Sequence, residues 1–104
     1  MSIIYEVNLK IDNAIAGDFS IWLKEHIKEM CTFDGFIEAS CYTDHENSTD
    51  DLQCMVVAYL LQDLSYYERY VNEHAPRMRA EGISLFGEGL QATRRILHQE
   101  YTIL

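Results

Sequence analysis

Leu52-Gln53-Cys54-Met55-Val56-Val57-Ala58-Tyr59-Leu60-Leu61 is apolar at almost every position, with Cys54, Val56, Ala58 and Leu60 on one side and Met55, Val57, Tyr59 and Leu61 on the other. Successive side chains of a strand point to opposite faces, so this pattern predicts a strand covered on both. Immediately before it, Asp44-His45-Glu46-Asn47-Ser48-Thr49-Asp50-Asp51 contains no apolar residue and reads as an exposed hairpin loop. That loop joins the run to Phe36–Thr43, a second strand rich in aromatic and small residues, which the turn pair Asp34-Gly35 opens. A symmetric register of this hairpin sets Cys41 opposite Cys54.

Further out, Ile3, Tyr5, Val7, Leu9 and Ile11 alternate with Ile4, Glu6, Asn8 and Lys10, a strand with one greasy face. From Asn13 the period changes to three and four. Ile15, Phe19, Trp22, Leu23, His26, Ile27 and Met30 form the apolar stripe of an amphipathic helix, opposite Asp18, Lys24, Glu25, Lys28 and Glu29. Beyond the central run, Ser65-Tyr66-Tyr67-Glu68 fits a capping box and starts a second helix with the stripe Tyr67, Tyr70, Val71, His74 and Met78. Pro76 is expected to kink or restart that helix, and Gly82 or Gly87 to end it. Gly89 to about Tyr101 alternates loosely as a last strand.

The order strand, helix, strand, strand, helix, strand implies an α+β fold, a ferredoxin-like βαββαβ sandwich. Its four-stranded antiparallel sheet carries both helices on one face. The third strand then lies centrally, and its second apolar side is left in water unless another body covers it. A homodimer, sheet against sheet or edge strand to edge strand, follows as the expected assembly. Glu6, Asn8 and Lys10 on the same side suit a partly wet cavity better than a dry seam.

With 104 residues the chain is one domain, 1–104, because splitting it would starve both cores. Seventeen acidic against eight basic residues give a formal charge of −9, a field that repels phosphate backbones and anionic lipid. Nucleic acid and membrane surfaces are therefore excluded as partners. Three cysteines without a CxxC pair or zinc spacing argue against structural zinc. No basic leader and no long apolar run is visible, so a reducing cytoplasm is expected, where the Asn47-Ser48-Thr49 sequon carries no weight. The acidic loop lacks the glycine and terminal glutamate of a calcium loop.

The opening strand Ile3–Ile11, Trp22 with His26-Ile27, and Tyr67-x-x-Tyr70-Val71-x-Glu73-His74-Ala75-Pro76-Arg77-Met78-Arg79-Ala80-Glu81-Gly82 running into Leu85-Phe86-Gly87 resemble a small bacterial family known only as a domain of unknown function. The resemblance covers nearly the whole chain. It implies a member of the dimeric α+β barrel group, whose paired ferredoxin-like sheets enclose a cavity in each subunit. That group includes cofactor-free monooxygenases, haem-degrading enzymes, small isomerases and proteins without known activity, so fold membership does not choose a function. In its haem-degrading branch the resemblance points to an asparagine on the first strand and a histidine on the second helix, places that Asn8 and His74 match. The branch also has a tryptophan on the third strand, where this chain has Tyr59; its only tryptophan, Trp22, belongs to the first helix. That departure argues against haem.

The ligand-binding candidates are Asn8, Trp22, His26, Tyr59, Tyr70, His74, Arg79 and Arg94. His26 and His74 lie on apolar stripes, where an imidazole is either a proton-transfer group or a satisfied core residue. All five arginines, Arg69, Arg77, Arg79, Arg94 and Arg95, fall in the last 36 residues, as gripping groups for an anion or as solvated charges offset by Glu68, Glu73, Glu81 and Glu88. Arg94 and Arg95 point to opposite faces of a regular strand, so at most one lines a given cavity. Tyr66, Tyr67 and Tyr70 form an aromatic cluster that either stacks on a ligand or packs a core. No nucleophile–base pair, metal spacing or phosphate loop is visible, and no cofactor is expected. Three readings follow: a domain holding a small organic ligand between sheet and helices, a cofactor-independent monooxygenase or isomerase using Asn8 with His26 or His74, and a dimerising adaptor without a cavity.

Overall fold

The computed structural model describes residues 1–104. Strand β1 (Ile3–Asp12) leads through a short 3-10 turn, Asn13–Ile15, into helix α1 (Ala16–Met30). Strands β2 (Phe36–Thr43) and β3 (Leu52–Leu61) form the hairpin, with the boundaries their patterning predicts. Helices α2 (Leu64–Glu73) and α3 (Ala75–Phe86), a second 3-10 turn at Gly87–Gly89 and strand β4 (Leu90–His98) complete the chain. The strands make one antiparallel sheet in the order β2-β3-β1-β4, so the doubly apolar β3 is an inner strand.

Alternation decides which side of β1 is dry. Ile3, Tyr5, Leu9 and Ile11 are buried under the helices, whereas Ile4, Glu6, Asn8 and Lys10 lie on the uncovered face. The stripe of α1 places Phe19, Leu23 and Met30 on the same core, each contributing on the order of 2 kcal/mol through removal of its apolar surface from water. Tyr70, Ala75 and Met78 supply the α2 and α3 side, and Val57, Tyr59 and Leu61 supply β3.

Four local expectations are corrected. The second helix is capped by Asp63, two residues before the expected Ser65: its carboxylate accepts from the Ser65 backbone amide at 2.9 Å and also holds the Ser65 hydroxyl, so the helix starts at Leu64. Gly82 does not end a helix. It lies buried inside α3, and Gly87, at φ 54°, is the stop. The hairpin register is not symmetric about Cys41 and Cys54, because Cys41 faces Val57 and Cys54 lies level with Asp44, whose amide donates to the Cys54 carbonyl at 2.8 Å. All three cysteines are free. Strand β4 stops at His98, short of Tyr101.

Pro76 restarts the helix as its residue types dictate. It occupies the first turn of α3, where a missing amide costs nothing, and the break falls at His74. The two segments stay coupled through His74 N to Tyr70 O at 2.9 Å and Met78 N to His74 O at 3.1 Å.

Candidate functional site

A cleft of about 60 Å³ opens between the sheet and helices α1 and α3. Its sheet wall is made by Tyr5, Val7 and Leu9 of β1, Val57 and Tyr59 of β3, and Leu90, Ala92 and Arg94 of β4. The helices supply Phe19, Trp22, Leu23, His26 and Met30 from α1, Tyr70 from α2, and Met78, Arg79 and Gly82 from α3. Two small sheet residues, Val7 and Ala92, leave the space that longer side chains would fill. Gly82 lets the indole of Trp22 lie close to α3, since a β-carbon there would come within 3.3 Å of the ring.

Side chains in the cleft hold one another in fixed orientations. Trp22 donates its indole N–H to Glu81 at 3.0 Å and stacks on His26 with ring centres 4.4 Å apart. Tyr5, 1% exposed, is wedged among Tyr59, Tyr67 and Tyr70 at centroid distances of 5.7, 5.0 and 5.8 Å. Its hydroxyl accepts a hydrogen bond from Nη2 of Arg79 at 3.4 Å. Burial pushes the phenols of Tyr59 and Tyr70 far above their ordinary range, so both remain neutral donors.

Only two buried side-chain polar atoms in the molecule lack a hydrogen-bond partner, Nδ1 of His26 and Nε of Arg79. Both belong to this cleft although they come from different helices. An unsatisfied buried polar group costs about 1 to 3 kcal/mol, more when charged, and both of those in this molecule belong to residues that line the cleft.

Six of the eight candidate residues meet here: Trp22, His26, Tyr59, Tyr70, Arg79 and Arg94. Two do not. Asn8 lies on the uncovered face of the sheet, where its amide donates to Glu6 at 3.0 Å beside the Glu6–Arg95 pair at 2.7 Å. An even-numbered position on β1 cannot reach a space lined by odd-numbered ones, which corrects its placement with the cleft residues. His74 sits at the α2–α3 break, stacked face to face on Phe33 at 4.0 Å, in a separate groove with Arg69 and Asp34. Arg94 and Arg95 do separate, Arg94 to the cleft and Arg95 to the open face. Arg79 lies inside α3 and lines the cleft. The sequence reading missed Tyr5 as the support of Arg79; its only signal was membership of the apolar side of β1.

His26 is held below the ordinary imidazole range, chiefly by burial, with Arg77 and Arg94 acting in the same direction and Glu81 and Glu29 opposing. The folded state therefore favours neutral His26 and the unfolded chain binds the extra proton. Stability conferred this way is complete above about pH 6.5 and falls as pH drops below that value toward the folded pKa. Urea midpoints measured from about pH 7.5 down to about pH 5 should decline in the parent chain and decline less in His26→Gln, a window above the ordinary carboxylate range. Equal declines in both would contradict the burial of a neutral imidazole.

Four antiparallel strands with all helices on one face, and a cleft between the layers, define a ferredoxin-like α+β fold. The chain belongs to the family described as "Domain of unknown function (DUF4286)", which residues 2–100 match. No curated protein matches it. Among solved structures it is similar to SnoaB, a cofactor-independent oxygenase from Streptomyces nogalater, at 11% identity and a TM-score of 0.72, covering 99% of this chain and 98% of that one. It is also similar to a conserved protein from Methanosarcina mazei Go1, at 16% identity and a TM-score of 0.73 over 96% and 94% of the two chains. A de novo designed protein, Foldit4, shares the fold at 14% identity and a TM-score of 0.69 over 96% and 100%. An oxygenase and a design on one architecture show why the cleft, and not the fold, carries the functional argument. No helix is long and apolar enough to cross a membrane.

Proposed function

We propose that this chain, as one domain over residues 1–104, is a cytoplasmic homodimer that binds a small organic ligand between sheet and helices. That the two residues with unpartnered buried polar atoms, His26 (Nδ1) and Arg79 (Nε), both line one largely apolar cleft is the observation that carries this reading. Pockets for drug-sized molecules run to about 300–1,000 Å³, so a cleft of about 60 Å³ takes a compact ligand or the head of a longer one. The dimer is supported by the uncovered sheet face, where half-buried Ile4, Val56 and Leu60 adjoin exposed Leu97 and Tyr42.

A second reading, a cofactor-independent oxygenase or isomerase, is supported by likeness of fold to SnoaB. Within it His26 alone remains as a proton-transfer group in the cleft, since Asn8 and His74 lie elsewhere. Oxygen uptake with quinol-type substrates that is lost in His26→Gln would favour this reading; no uptake would remove it.

Native mass spectrometry of gently purified protein tests the main proposal. The expected result is a dimer carrying a defined small mass, released by unfolding. A bare monomer would overturn the assembly, and a bare dimer that no compound stabilises in a thermal-shift screen would leave the adaptor reading in place of ligand binding.

A further inference from the structure

We infer that the cleft is built for an organic carboxylate, seated on the terminal nitrogens of the Arg79 guanidinium with Arg94 as the second cation of the lining, and the apolar body of the acid lying against Trp22 and Met78. This inference rests on the ligand-binding reading of the same cleft and assigns its ligand a charge.

Ion pairing across the molecule separates the five arginines into two groups. Arg69 pairs with Asp34 and Glu73 at 3.5 and 3.8 Å, Arg77 with Glu29 at 3.2 Å, and Arg95 with Glu6 at 2.7 Å. Arg79 and Arg94 pair with no carboxylate, and both line the cleft. In a chain with 17 acidic residues and 8 basic ones, two arginines left without acids at one place is the opposite of what composition favours. No Asp or Glu lines the cleft. Glu81, the nearest acid on α3, is turned to the indole of Trp22.

The geometry of Arg79 favours a planar bidentate partner. Its Nη2 is held by the Tyr5 hydroxyl, and Tyr5 is itself fixed by three tyrosine rings, so the guanidinium is oriented before any ligand arrives. Nε is buried without a partner and has almost no accessible surface, so a carboxylate meets the guanidinium at its terminal Nη groups. The rest of the lining is mostly hydrophobic, thirteen of seventeen residues, which suits the hydrocarbon part of an organic acid.

Trp22 is the only tryptophan and forms one wall of the cleft, so its emission reports occupancy directly. The probes are benzoate and its neutral isostere benzamide, titrated into the full-length chain. Benzoate should change Trp22 emission saturably, with benzamide weaker by about tenfold or more, the factor a lost charge-assisted pair carries. Arg79→Gln should weaken benzoate by a similar factor and leave benzamide unchanged, Arg79→Lys should recover only part of the loss, and Arg95→Gln should have no effect. Circular dichroism of each variant establishes that it folds, and the Lys variant keeps the test open if Gln does not. Equal binding of benzoate and benzamide, or full benzoate affinity in a folded Arg79→Gln, would overturn the charge assignment and leave ligand binding intact. Failure of both probes, combined with a bare dimer in native mass spectrometry, would overturn both.

Discussion

Gly35→Ala should destabilise the chain by about 3 to 5 kcal/mol, enough to consume much of the stability of a domain this size. Gly35 follows α1 at φ 83°, a backbone conformation that costs an L side chain of order 1–3 kcal/mol. A β-carbon there would also lie 2.1–2.4 Å from Cβ, Cγ and Cδ1 of Tyr66, inside the half-buried base of that ring where α2 leaves little freedom. Forced overpacking of this kind adds about 1–3 kcal/mol. The turn also receives Gln62 N on the Gly35 carbonyl at 2.9 Å, tying the end of β3 to the turn before β2. Urea unfolding followed by circular dichroism measures the effect, with Gly17→Ala as control. Nothing lies within 4 Å of a β-carbon at Gly17, inside α1, so that substitution should stabilise by about 0.5 kcal/mol. A Gly35→Ala loss under about 1 kcal/mol would mean that Tyr66 is not confined against the turn.

Phe19→Ala is expected to cost about 3–5 kcal/mol, the range for removing a buried aromatic ring. The ring is 1% exposed and holds two others in place, Trp22 at 5.6 Å and Phe86 edge-on at 5.1 Å. Its loss opens a void beside the cleft, and the indole of Trp22 gains room to leave its stack on His26. Two readouts separate these effects: a lower urea midpoint reports the lost packing, and a red-shifted Trp22 emission in the folded state reports the freed indole. Phe19→Leu keeps most of the volume and should cost about 1.5 kcal/mol or less. If Phe19→Ala lowers the midpoint without altering the emission, Trp22 is held in place without Phe19, by Glu81, Gly82, His26 and Phe86.

Most strand boundaries were legible because the period-two signal is local and strong. Two of the misplacements, at the second helix start and its end, share one cause, competition between nearby residues able to do the same job. Asp63 and Ser65 both cap helices, and the carboxylate two residues earlier reached the free amide first. Gly82 and Gly87 both look like stops. Packing against Trp22 explains one of them, and only the second adopts positive φ. In the candidate site, helical spacing brought His26 and Trp22 together on α1. Their partners Arg79 and Arg94 come from α3 and β4, more than fifty residues later in the chain.

Alternation along Ile3–Ile11, the doubly apolar Leu52–Leu61 and the stripe from Ile15 to Met30 were sufficient to determine the element order, the antiparallel sheet and the central place of the third strand. Those features follow from side-chain periodicity, which each segment carries within itself. Tertiary packing alone decided the cleft. That Arg79 is braced by Tyr5 from 74 residues away, that Asn8 and His74 face elsewhere, and that two arginines are left without acids depend on the β1–β4 register and on how α1 and α3 cross the sheet. Contacts between distant segments are set by the sum of the packing and not by any local period, which is why they emerge only when the layers close.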